Sequence, residues 1–175
     1  TVACKFNLEM CLTESIVKIA EKVRPDQVTL VPENRAELTT EGGLDCVKNK
    51  TRLAAITKRM HKKGILVSTF ILPDEKQILA TAEAGCDAVE LHTGQYANAK
   101  QDSEIAKRLN ELRDARDIAA SAGLIVHAGH GLTYRNIRPV AAIEGLCEFN
   151  IGHSIISRAV PVSYTHLRAH ETKAN

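Results

Sequence analysis

Glutamate and histidine recur at the ends of this chain's short apolar runs, a placement that points to proton transfer. Glu9 falls in Lys5–Met10, Glu33 and Arg35 lie just past Gln27–Val31, and Glu90 and His92 close Ala88–Leu91. His127 and His130 follow Leu124–Val126, and Asn150, Gly152 and His153 close Glu148–Ile151. Carboxylates and imidazoles exchange protons near neutral pH when their surroundings tune them. Glu9 sits between Leu8 and Met10, so strand alternation turns it to the opposite face from both. A carboxylate buried there is either functional or half of a structural ion pair, because burying it alone is costly. Glu90 and His92 share a face, as a proton-shuttling pair or a satisfied structural one. His130 is flanked by glycines in Ala128-Gly129-His130-Gly131, which lets backbone approach a ligand and leaves the imidazole accessible as a general acid. A surface-loop histidine is the plain alternative, and His127 reads equally either way. Ile151-Gly152-His153-Ser154 opens a helix whose free N–H groups suit a phosphate, or it is an ordinary capped turn. Thr39-Thr40-Glu41-Gly42-Gly43 has the makeup of a closing lid and equally of a plain surface loop.

Other chemistries find less support. His92, His127, His130 and Glu90 are the one set that resembles a His/carboxylate metal site, but no H-E-x-x-H occurs and no metal is expected. The five cysteines, Cys4, Cys11, Cys46, Cys86 and Cys147, are scattered without a CxxC, as small buried thiols of a reducing cytosol would be. Of 175 residues, 44% are hydrophobic and 25% charged, with net charge +2. That balance gives no case for a nucleic-acid or anionic-membrane partner. Three Phe, three Tyr and no Trp leave little for base stacking. No run approaches the ~20 apolar residues of a membrane span. The pairs Lys58-Arg59 and Lys62-Lys63 read as solvated helix faces.

These groups need a scaffold that gathers strand ends. Short β-like runs alternate with amphipathic ones. Thr13 can cap a helix to Val23, and a helix over Val47–Lys62 ends at Gly64. Asp74 caps one to Ala84, Asp102–Ala122 is a long charged helix, Asn136–Ile143 a short one, and Ser154–Ala159 starts another. Six βα units without linkers imply a parallel α/β sheet. Both the doubly wound sheet and the eight-stranded barrel satisfy that rule. The absence of G-x-G-x-x-G after the first strand weakens the dinucleotide-binding version of the former. In either form the strand C-terminal ends share one face, so the glutamates and histidines converge there.

Five stretches together resemble the pyridoxine 5'-phosphate synthase family of vitamin B6 biosynthesis. They are FNLEM (6–10), TLVPENRAELTTEGGLD (29–45), VELHTGQYA (89–97), AGHGLTYRNI (128–137) and FNIGHSIISRAV (149–160). The resemblance implies a (β/α)8 TIM barrel, a cytoplasmic homo-oligomer (an octamer in the family) and no cofactor. It implies condensation of 3-amino-2-oxopropyl phosphate with 1-deoxy-D-xylulose 5-phosphate to pyridoxine 5'-phosphate, phosphate and water. Another phosphosugar-binding barrel enzyme, an isomerase or aldolase, is the alternative, although no strand ends in the lysine a Schiff-base aldolase needs. By motif, Glu9 is a proton acceptor, Glu90 stabilises charge in the transition state and His130 is the proton donor. Thr39, Gly131, Gly152 and His153 bind the phosphorylated substrates.

The family usually has Asn where this chain has His127. Its Asn-x-Asp-His motif, substrate-binding arginines and a further catalytic histidine have no counterpart here. Residues 1–160 are therefore expected to be a partial barrel lacking the first two βα units. Residues 161–175 read as a foreign tail resembling sequencing-adapter read-through. Such a piece is expected to leave strand edges unpaired, to aggregate and to be inactive.

Overall fold

A computed structural model of the chain describes residues 3–33, 39 and 42–162. It contains β1 (Asn7–Met10), α1 (Glu14–Val23), β2 (Gln27–Leu30), α2 (Cys46–His61), β3 (Leu66–Ile71), α3 (Glu75–Glu83) and β4 (Ala88–His92). There follow α4 (Gly94–Asn98), α5 (Asp102–Ser121), β5 (Ile125–Gly129), α6 (Ile137–Ala141), β6 (Leu146–Asn150) and α7 (His153–Val162). Every strand pair is parallel and the order is β1-β2-β3-β4-β5-β6. A doubly wound sheet reverses direction at a switch point. This sheet never does, so it winds as a barrel wall winds.

The sheet is strongly curled. Laid flat, six strands would hold β1 and β6 about 24 Å apart, at roughly 4.8 Å per step. Lys5, just before β1, nevertheless reaches Glu148 on β6 at 3.3 Å. Both side chains are partly exposed, so the pair reports the curvature more than it stabilises it. Among the described residues the outer edges of β1 and β6 have no strand partner, so the wall is incomplete.

Strand alternation divides the two faces. Val28, Leu30, Val67, Ile71, Val89, Leu91, Val126 and Ala128 point outward. They pack with Val17, Ala20, Leu53, Met60, Ile78, Leu112 and Ala119 of the helices to form the core. The inner face carries Asn7, Glu9, Gln27, Thr29, Ser68, Phe70, Glu90, His92, His127, Glu148 and Asn150, which the parallel register places in rows. A barrel interior is usually filled by branched apolar side chains; this one is polar. Thr29 donates to Asn7 at 3.0 Å. Buried Gln27 Nε2, Ser68 Oγ and His127 Nδ1 have no partner among the described residues.

The helix signals hold with local differences. Asp45 and Asp74 cap α2 and α3 by accepting from Lys48 and Gln77 N–H, at 3.0 and 3.1 Å. Thr13 precedes α1 without a side-chain cap, because its hydroxyl lies 2.9 Å from Cys11 Sγ. Arg59 is not a free solvated charge. It bonds Glu14 at 2.7 Å and Glu21 at 2.9 Å, tying α2 to α1 and holding both carboxyls below their usual range. Cys11, Cys46 and Cys86 are buried as expected, whereas Cys4 and Cys147 are exposed. Helix α7 runs to Val162, two residues into the stretch read as tail.

Asp45 also accepts from Gln77 Nε2 at 3.3 Å, so it joins α2 to α3 as well as capping. Asp45→Ala should cost about 1–2 kcal/mol, read as a lower urea midpoint with an unchanged slope. An unchanged midpoint would mean the cap contributes nothing.

Candidate active site

A cleft of about 1050 Å³ opens at the C-terminal ends of the strands. Glu9, Phe70, Glu90, His130, Asn150, Gly152 and His153 line it. The three residues assigned proton chemistry from the sequence, Glu9, Glu90 and His130, are thus brought to one place. So are the phosphate-binding candidates Gly131, Gly152 and His153.

Glu90 is the most constrained of these. It is 4% exposed and accepts a 2.6 Å hydrogen bond at Oε2 from Asn150 Nδ2. Its other oxygen lies over Gly129, where a Cβ would collide with it. Burial raises its pKa to about 7, the Asn150 hydrogen bond works against that, and the charges of Glu9 and Glu148 push further up. The carboxyl is thereby poised to change ionisation near neutral pH.

The sequence pairs Glu90 with His92, but the structure does not. They share the inner face, yet two residues along a strand stand about 6.6 Å apart. Each finds another partner. His92 Nδ1 accepts from the Gly94 N–H at 3.1 Å, and its ring stacks on His130.

His130 follows β5 with φ +80°, a left-handed conformation that is strained for any residue but glycine. Thr93 holds it there. The Thr93 hydroxyl lies 2.8 Å from the Gly129 carbonyl and 2.6 Å from that of His130, and the Thr93 N–H donates to the Gly129 carbonyl at 2.8 Å. Gly131, also at positive φ, lets this turn close on Ala97, whose Cβ would lie 2.7 Å from an added one.

The remaining candidates are placed as follows. Gly152 and His153 open α7 at the rim, with open space where a Gly152 Cβ would stand. Thr39 accepts from Gly43 N–H at 3.1 Å and donates to its carbonyl at 3.2 Å, beside Gly42, which borders the cleft. His127 is buried directly opposite Glu90 in the β4–β5 register, and burial lowers its pKa. Glu33 is described and exposed, whereas Arg35, Thr40 and Glu41 lie outside the described residues. No group of three His, Cys, Asp or Glu residues suited to a metal occurs among the described residues. Nor is any of their helices long and apolar enough to cross a membrane. One positioning residue escapes sequence reasoning, Thr93, which carries no chemical signal of its own. Sequence spacing places Asn150 at the converging strand ends but does not foresee its partner Glu90.

The sequence model of the family described as Pyridoxal phosphate biosynthesis protein PdxJ matches residues 1–168. The chain belongs to the PdxJ family. Relatives named pyridoxine 5'-phosphate synthase include that of Trichlorobacter lovleyi, 50% identical over 93% of this chain and 68% of the relative. That of Syntrophotalea carbinolica is 54% identical with the same coverage, and that of Synechocystis sp. 51% over 93% and 67%. The chain therefore spans about two thirds of the length of these PdxJ relatives. Among solved structures, the tryptophan synthase A-subunit from Pyrococcus furiosus aligns with TM-score 0.61 at 12% identity, over 93% of this chain and 63% of that one. The YdjI aldolase from Escherichia coli aligns with TM-score 0.57 at 16% identity, over 85% and 52%. At those identities the likeness establishes the fold alone, a TIM-barrel-like arrangement of which this chain forms an incomplete wall.

Proposed function

We propose that the cleft is the acid–base site of a pyridoxine 5'-phosphate synthase, which condenses 3-amino-2-oxopropyl phosphate with 1-deoxy-D-xylulose 5-phosphate. The observation that carries this is that Glu9, Glu90 and His130 line one cleft with the open start of a helix on its rim. Amine addition to a ketone, loss of water, loss of phosphate and ring closure each move protons, and two carboxyls and an imidazole suit that sequence. Glu9, on the cleft-facing side of β1, accepts a proton. Glu90 is ionised by the time pH passes about 7, and its carboxylate stabilises positive charge on the condensing nitrogen. His130, pinned by Thr93, donates to the leaving oxygen. Gly131 offers backbone to the substrate, and Gly152 and His153 receive a phosphate at the α7 N-terminus. Thr39 binds substrate from beside Gly42 at the cleft edge. A cytoplasmic location and assembly into a homo-oligomer belong to the same reading. No lysine lines the cleft among the described residues, so Schiff-base aldolase chemistry lacks its nucleophile there.

The test supplies both substrates and follows pyridoxine 5'-phosphate by mass. Turnover that falls at least about 100-fold in Glu9→Gln or His130→Asn supports the reading. Turnover indifferent to both substitutions overturns it. That the edges of β1 and β6 are unpaired among the described residues favours a second reading, a non-catalytic piece that only holds phosphoesters. Binding of pyridoxine 5'-phosphate at the cleft without its formation selects that one.

A further inference from the structure

Three rings meet at the cleft wall, two from β3 and β4 and one from the residue that follows β5. Phe70 of β3 lies 4.9 Å from His92 of β4, tilted by 45°. His92 lies 4.6 Å from His130, stacked within 27°. Phe70 and His130 line the cleft and also face each other directly, 6.2 Å apart and tilted by 51°, so the three rings form a triangle with His92 against both. We propose that His92 is a positioning residue for His130, an imidazole locked by the Gly94 amide in its neutral Nε2–H form and serving as the platform on which the His130 ring is held. This rests on the reading of His130 as proton donor given above.

The lock follows from hydrogen-bond chemistry. A neutral imidazole has one N–H and one acceptor nitrogen. Nδ1 of His92 accepts from the Gly94 N–H, so its one proton resides on Nε2. Protonating Nδ1 would drive two N–H groups against each other. Burial keeps the ring neutral too, lowering its pKa to about 4; the charge of His130 acts in the same direction, and a hydrogen bond to the backbone of His92 itself acts against it. Glu90 lies two residues back on the same strand but is bonded to Asn150, so it does not compete for this ring.

The need for a neutral platform follows from His130. An imidazole that acts as a general acid donates from its charged imidazolium form, and two imidazolium rings in a stack would repel. A neutral face supports that charge and holds the ring in one orientation. The backbone alone leaves the ring free to turn, since Thr93 grips only the carbonyl of His130 and that of Gly129. Gly94 completes the device, because a Cβ there would run into the His92 ring and stand 3.3 Å from His130 Cδ2. His92, Thr93 and Gly94 thus hold ring, carbonyl and space for one residue 37 positions away.

The test compares His92→Phe, which keeps the ring, with His92→Asn, which keeps an acceptor for Gly94 but removes the ring. The first readout is nitrogen-15 NMR of the imidazoles in the chain itself, which needs no turnover. His92 should show a bare Nδ1 and a protonated Nε2 from roughly pH 5 to 8. His130 should keep its ring contacts to position 92 and Phe70 in His92→Phe and lose those to Phe70 in His92→Asn. A proton on His92 Nδ1, or a His130 ring equally ordered in His92→Asn, overturns the proposal. The second readout is kinetic. His92→Phe should retain kcat within about three-fold with an unchanged pH profile, and His92→Asn should lower kcat about 10- to 100-fold with KM little altered. Equal damage in both variants would make the His92 nitrogens themselves essential and would also overturn it. If the NMR behaves as expected while turnover ignores both variants, the stack stands and the assignment of His130 as donor fails.

Discussion

Alanine at position 129 should abolish the geometry of Glu90 and lower turnover at least about 100-fold, the cost of misplacing a reacting group by roughly 1 Å. Few one-carbon additions in this chain meet so little room. The Glu90 carboxyl occupies the space over Gly129, with Glu90 Cδ 3.1 Å and the Asn150 carbonyl 3.0 Å from an added Cβ. The carbonyl is backbone and cannot yield, so the carboxyl must swing away and lose Asn150 Nδ2. Freed into the cleft, Glu90 should titrate lower, towards the ordinary 4.5. Carbon-13 labelling of the glutamate carboxyls reads that change and an assay reads the loss of turnover. Wild-type turnover in Gly129→Ala would show that the seat does not matter.

The second large effect is one of stability, and it opposes function. Glu90 has a higher pKa folded than unfolded, about 7 against 4.5. The folded chain therefore holds the proton more tightly than the unfolded chain between those values. Stability from this group is fully present below about 4.5 and is lost as pH rises through about 7. The difference corresponds to roughly 3 kcal/mol. Glu90→Gln keeps the shape and the acceptor for Asn150 but never ionises. It should match the parent in denaturant at about pH 4 and exceed it at pH 8 by up to roughly 3 kcal/mol, while its turnover falls. A variant equally stable at both pH values, relative to the parent, would show that burial of this carboxyl carries no such cost.

Much of this was legible in the sequence for identifiable reasons. Each β-like run led to a helical stretch with a polar start and often a glycine stop, and the structure repeats that alternation strand for strand. Winding direction was not legible, because alternation alone permits both parallel architectures; the unbroken order β1 to β6 decides it. Helix α4 was missed because Gly94–Asn98 is too short to show a period. Strand β5 runs to Gly129 and not Val126, because His127, Ala128 and Gly129 look like loop until they pair with Glu148, Phe149 and Asn150. At the candidate site, strand ends brought Glu9, Glu90 and His130 to one cleft, but their neighbours there are distant in sequence. Asn150 is 60 residues from Glu90 and Thr93 is 37 from His130. Sequence spacing reports which face a residue shares; it does not report what the curled sheet brings opposite.

On the proposed reading, Glu90 stabilises charge in the cleft only when its carboxyl is ionised, and burial places that ionisation near neutral pH. Its carboxyl can be followed directly by carbon-13 NMR across a pH titration, with Glu90→Gln identifying the signal and Asn150→Leu removing its hydrogen bond. A midpoint near 7 is predicted, moving upward in Asn150→Leu because the lost bond favoured the ionised form. A midpoint near 4.5 that ignores Asn150 would contradict the buried, tuned carboxyl on which the site is built.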